Sequence, residues 1–183
     1  MIRRFVRTLG ALLLACAGLA VAATSDDVNK ISRLFTSGRA NDAFTQLDKL
    51  LTQQPHDSQL RFLKGVLLAE SGRRDEAATV FEQLTIDFPD MPEPYNNLAV
   101  IYAAEGKYDQ ALTALQAAVR AQPGYAVAQQ NLGDVYVQLA RISYLKAQKL
   151  DPGDATIAPK IAALRSSVTP LGTAAPAGAA VPH

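Results

Sequence analysis

Glycine recurs at Gly38, Gly72 and Gly106, a constant step of 34 residues, and the same step carries Ala43 to Ala77 to Ala111 and Pro55 to Pro89 to Pro123. A fixed period of this length marks a helix-turn-helix unit that cannot bury its own apolar face and stacks on copies of itself instead. The register divides the chain into units over 24–57, 58–91 and 92–125, followed by a shorter unit over 126–154. Within a unit the recurrent residues have distinct physical tasks. A small residue stands eighth (Gly65, Ala99, Gly133) and an alanine twentieth, which allows two antiparallel helices to approach closely. The fifteenth-place glycine takes a positive φ and ends the first helix, and the proline near the unit's end cannot continue the second. Leu68, Tyr102 and Tyr136 stand eleventh and Phe81 and Leu115 twenty-fourth, large groups expected to fill the spaces between helices.

The fourth unit breaks the register. Its proline is expected at position 157 and occurs at Pro152, five residues early, and no Gly or Pro follows Gly133 before it. Ala128, Leu132, Val135, Leu139, Ile142 and Leu150 keep a helical stripe across the join, which predicts one long helix over about 126–150. A very tight turn near Ala140 is the other arrangement this stretch allows. Beyond it, "ATIAPKIAALRSSV" predicts a short capping helix over 155–167 with Ile161 and Leu164 inward.

The recurring residues resemble the tetratricopeptide repeat family, whose consensus sets Leu-Gly, Tyr, Gly, Ala, an aromatic, Ala and Pro at these relative places. The match is best at "NNLAVIYAAEGKYDQALTALQAAVRAQP" and extends over about 130 of the 183 residues. Ile31 and Leu50 depart from the pattern in the first unit. The resemblance implies an all-α fold, an α-solenoid of antiparallel helix pairs with about 3.5 units, the long helix in the shortened last one and a cap behind it. It also implies a concave groove lined by the first helix of each unit. Carried onto this chain, the groove places are Gln59, Phe62, Val66, Ala69 and Glu70 in the second unit, Glu93, Asn96, Asn97, Val100 and Ala104 in the third, and Gln130, Asn131, Asp134 and Gln138 in the fourth. The groove is therefore expected to be apolar at one end and amide-rich at the other. Amides that donate and accept can hold an extended backbone with little regard to its sequence; equally, Asn97 and Asn131 can bond within their own repeats. Val28, Asn97, Val127 and Asn131 occupy the places where carboxylate-clamping relatives carry Lys and Arg, so a terminal-carboxylate clamp is not expected.

The chain ends carry a separate message. Arg3, Arg4 and Arg7 precede the apolar run "LGALLLACAGLAVAA", and polarity rises at "TSDDVNK", the pattern of an export signal over 1–23 cleaved after Ala22 or Ala23. The competing reading takes "LLAC" as a lipobox, with Cys16 lipidated and the protein anchored to a membrane. Cys16 is the only cysteine, so a chain cleaved after Ala22 or Ala23 has no disulfide or thiol chemistry. Of 18 basic residues, removing the three leader arginines leaves 15 against 17 acidic ones, which gives no reason to expect nucleic acid. The segment 168–183, rich in Pro and Ala, is expected to be disordered.

Candidate chemistry is sparse. His56 sits in an inter-repeat loop and His183 ends the chain, which leaves no convergent set for catalysis or a metal. "DPGD" at 151–154 resembles a fragment of a calcium loop but lacks its alternating oxygen ligands. The expectation is a non-enzymatic periplasmic scaffold without cofactors, holding a segment of a protein or peptide partner in an envelope assembly or secretion complex. The alternative is a Cys16-anchored structural subunit that docks through the long helix 126–150.

Overall fold

A computed structural model describes residues 25–165 and Leu171. The expected leader, Cys16 and nearly all of the expected tail lie outside these residues. Eight helices and no strand occur among the described residues: α1 (Ser25–Thr36), α2 (Ala40–Gln53), α3 (Ser58–Glu70), α4 (Arg74–Asp87), α5 (Pro92–Ala104), α6 (Tyr108–Ala121), α7 (Ala126–Leu150) and α8 (Ile157–Arg165). Each helix packs on its chain neighbours, and α1 on α3 and α5 on α7 add contacts one unit apart, the connectivity of a solenoid.

The turns inside the first three units show why glycine recurs. Gly38, Gly72 and Gly106 have φ of +81°, +78° and +74°, a left-handed conformation that closes each first helix. In each turn the next residue's N–H bonds a carbonyl five residues back: Arg39 to Leu34, Arg73 to Leu68 and Lys107 to Tyr102, at 3.0, 2.9 and 2.8 Å. Each second helix stops before proline, with the N–H of Gln54, Phe88 or Gln122 satisfied by the carbonyl four residues earlier.

Helices of 12 to 14 residues are marginal alone, so their apolar stripes must stabilise one another. Three buried clusters follow the stack. The first joins Val28, Ile31, Ala43 and Leu47 to Leu60 and Leu63, and so absorbs the non-consensus Ile31. The second centres on Phe62, Ala77, Phe81, Leu84, Leu98 and Ile101. The third holds Ala99, Ala111, Leu115, Ala118, Ala128 and Val135. Close approach is tightest at Gly65, where an added Cβ would lie 2.5 Å from Phe81 Cε1.

The fourth unit differs in two ways. α7 is one continuous helix of 25 residues, about 37 Å long at the usual rise, with no turn at Ala140. The expectation that Gly133 and Tyr136 pack like their counterparts is corrected: a Cβ on Gly133 meets nothing within 4 Å, and Tyr136 is 50% exposed. The physical reason is that no described helix folds back over this face of α7. α8 packs on α7 elsewhere, with Ile157 and Ile161 buried, Leu164 half-buried and Lys160 Nζ 5.5 Å from the centroid of the Tyr144 ring. Leu171 then rests on the third cluster. The "DPGD" turn uses its carboxylates locally, Asp151 Oδ1 accepting from the Gly153 N–H and Asp154 Oδ1 from the Thr156 N–H.

Candidate partner-binding site

The first helices α3, α5 and α7 carry the expected groove residues, and the structure brings some of them together. Val66, Asn97 and Val100 converge with Ala69 and Glu70 on a small depression of about 40 Å³ floored by Phe81 and Ile101. Phe62 packs its ring 5.6 Å from that of Phe81 and also borders a separate cleft of about 510 Å³. That cleft lies under the α4–α5 turn, where Gln59, Met91, Asp90 and Glu93 form much of its wall. Gln130 is exposed on α7, and Asp134 is half-buried.

The amides behave differently from an outward-facing series. Asn96 and Asn131 are 0% and 1% exposed, and Asn131 Nδ2 donates to Asn96 Oδ1 at 2.8 Å across α5 and α7. Asn96 Nδ2 in turn donates to Asn97 Oδ1 at 3.4 Å. Asn96 and Asn131 therefore tie the third unit to the fourth, and of the three only Asn97 borders the depression. The reason is depth. The fifth place of α5 and the sixth of α7 meet in the seam between helices, where a buried amide must find a partner.

Farther along α7, three enclosed polar atoms have no hydrogen-bond partner among the described residues: Asp134 Oδ2, Gln138 Oε1 and Arg141 Nε. Residues 134, 138 and 141 follow one helical stripe.

A second groove, which the repeat pattern does not reveal, runs between α4 and α6 on the outer side and encloses about 490 Å³. Tyr95, Leu98 and Tyr102 form its floor, with Glu82 and Asp109 on its walls. Tyr102 Oη donates to Glu82 Oε1 at 3.0 Å and Tyr95 Oη to the Thr85 carbonyl at 3.2 Å. Burial raises the Tyr102 pKa, and its hydrogen bond to Glu82 adds to the rise. In sequence Tyr102 reads as an eleventh-place packing residue, and nothing in the period marks its hydroxyl as a groove group. Elsewhere, Arg61 Nη1 meets Asp87 Oδ2 at 2.6 Å, and this bond, with a second from Gln83, holds the Asp87 carboxyl below its ordinary pKa.

His56 lies exposed in its loop. Among the described residues no group of three or more His, Cys, Asp or Glu could hold a metal ion, and no helix is long and apolar enough to cross a membrane.

No curated protein sequence matches the chain. Several solved structures share its fold. TTC0263, a thermophilic tetratricopeptide repeat protein of Thermus thermophilus, is 24% identical with a TM-score of 0.56, over 79% of this chain and 82% of that one. The MamA protein is 19% identical at a TM-score of 0.54, over 78% and 83%. A chain of the Naa15/Naa10 complex bound to HypK-THB is 15% identical at 0.55, but this chain spans only 22% of its length. At these identities the likeness establishes the fold. The sequence model described as "Tetratricopeptide repeat" matches residues 29–92, 67–126 and 96–155 in overlapping windows. Those windows run through the four stacked units and across the join into α7, so the chain belongs to the tetratricopeptide repeat family.

Proposed function

We propose that the chain is a non-enzymatic scaffold of the bacterial periplasm that holds a segment of a partner protein against the face shared by α3, α5 and α7. Domains of this family generally bind protein partners, and the solved relative carrying HypK-THB is itself part of a protein complex. The observation that carries the reading is the convergence of Val66, Asn97 and Val100 on one depression beside the exposed Glu70. A small, mostly apolar pocket with a carboxylate at its edge suits an apolar side chain on an extended segment. The leader-like sequence over 1–23 supports export, and an envelope assembly or secretion complex is the setting in which such a scaffold would work.

A photo-crosslinking residue at Val100, expressed in the native envelope, tests the groove. A discrete protein adduct is expected from position 100 and none from Ile86 on the outer side. Adducts confined to Ile86 would sink the groove reading. Mass spectrometry of the amino terminus tests export: a free Ala23 or Thr24 is expected, whereas a lipidated Cys16 would replace the soluble scaffold by an anchored subunit.

A further inference from the structure

We propose that the open face of α7 receives a helix from a partner protein, which supplies the second helix that the fourth unit lacks. This surface is distinct from the groove. In the second unit Phe81 of α4 covers Gly65, and in the third Leu115 of α6 is buried in one cluster with Ala99. Gly133 holds the equivalent place in α7, yet its Cβ position faces open space. Along the helix Gln129, Tyr136, Ser143 and Leu150 are exposed as well, with Ala140 and Ala147 half-buried between them. Gln129, Gly133, Tyr136, Ala140, Ser143, Ala147 and Leu150 follow steps of four and three residues, so they fall on one side of α7 for its whole length. None is charged, Tyr136 is 50% exposed and Leu150 is 87% exposed, two of the large apolar groups that the fold leaves in water. The face thus continues the interface that α4 makes on α3 and α6 on α5, without its occupant.

That interface also defines the chemistry of the missing piece. α4 presents Ala77, Phe81 and Leu84 inward, and α6 presents Ala111, Leu115 and Ala118, all fully buried. An occupant of α7 would carry the same stripe: alanine, a large apolar residue four places later, a further apolar residue three beyond, and no charge on that side. Among the described residues a second copy of this chain has no such stripe to spare, because those of α4 and α6 are closed in their own stack and Ile157 and Ile161 of α8 are buried. The described residues thus point to a foreign helix rather than to a second copy.

The chain's own α4 sequence is a suitable probe, since its Phe81 already fits a glycine at this place. A labelled, blocked peptide of residues 74–87 should bind the full chain saturably by fluorescence anisotropy. Gly133→Leu should weaken that binding about tenfold or more, as should Phe81→Asp within the peptide. Val100→Arg, in the groove, should leave it unchanged. Gly133→Leu has room for its side chain, and an unaltered melting temperature would show that the variant folds. Absence of saturable binding, equal binding to Gly133→Leu, or loss with Val100→Arg would each overturn the proposal. So would a dimer of the chain in sedimentation that Gly133→Leu dissociates, because the face would then belong to a second copy.

Discussion

Gly65 and Gly133 stand at the same place in their units, and they meet opposite surroundings. Around Gly65 the backbones of α3 and α4 are so close that a single methyl would overlap the Phe81 ring; around Gly133 a methyl touches nothing. The two sites teach that a repeat consensus specifies the potential to pack, while the neighbouring element decides whether packing happens. In the second unit the decision falls within the chain. In the fourth, the long α7 takes up the length that a turn and a second helix would have used.

The comparison can be broken most sharply by truncating the covering residue. Phe81→Ala removes a fully buried ring and should cost about 3–5 kcal/mol of stability, whereas Tyr136→Ala, on the open face, should stay within about 0.5 kcal/mol. Urea denaturation of both variants measures the contrast, and equal costs would mean that α7 is covered after all. Enlarging the small residue gives the next largest effect. Gly65→Val forces the Phe81 ring aside and should destabilise by about 1–3 kcal/mol, but Gly133→Ala should stabilise by about 0.5–1 kcal/mol through helix propensity alone.

Between these two regions lies the amide seam. Asn131→Ala removes the donor that the buried Asn96 Oδ1 accepts from and should cost about 1–3 kcal/mol, and the double variant Asn96→Ala, Asn131→Ala should cost less than the sum of its members. Additive costs would show that the two amides do not act together.

The smallest effect is electrostatic. Asp87 has a folded pKa below its unfolded value because of Arg61, so its contribution is present above about pH 4 and disappears as the pH falls through the folded pKa. The stability difference between the parent and Asp87→Asn should therefore be small at neutral pH and vanish in strong acid, as read by melting temperature across pH. Tyr125 titrates in the opposite direction. Burial, with the Glu93 charge adding to it, pushes its hydroxyl up to about 12, so stability is intact below about pH 10 and declines between there and pH 12. Tyr125→Phe should flatten that alkaline decline.

Much of this architecture is legible in the sequence because its causes are local. A positive φ favours glycine and a helix cannot run through proline, so the turns follow from spacing, while the unbroken stripe Ala128 to Leu150 allows a long helix or a tight turn near Ala140 and the structure has the long helix. The cap is also readable, though its helix begins at Ile157 rather than at 155; of the expected 155–167, residues 166–167 lie outside the described residues. What escapes is whatever depends on residues far apart. Asn96 and Asn131 are 35 positions distant, and only the crossing of α5 and α7 turns their amides on each other. The smallness of Gly133 reads as a packing device because its counterparts are, and the absence of a covering helix leaves no mark in the residue itself. The outer groove needs Glu82 and Tyr102, on different helices, to meet through a hydroxyl that periodicity treats as part of an aromatic filler.

The Asn96–Asn131 bond has a consequence for how the array finds its order during folding. Units built on one pattern offer seams of one shape, and a newly formed α7 could dock one unit too early. On α3 the fifth and sixth places hold Phe62 and Leu63, so an α7 seated there would press the Asn131 amide against hydrocarbon with nothing to bond. On α5 the same amide meets Asn96. One buried pair thus works as a key cut for a single lock, and it counts the repeats that the glycines merely space.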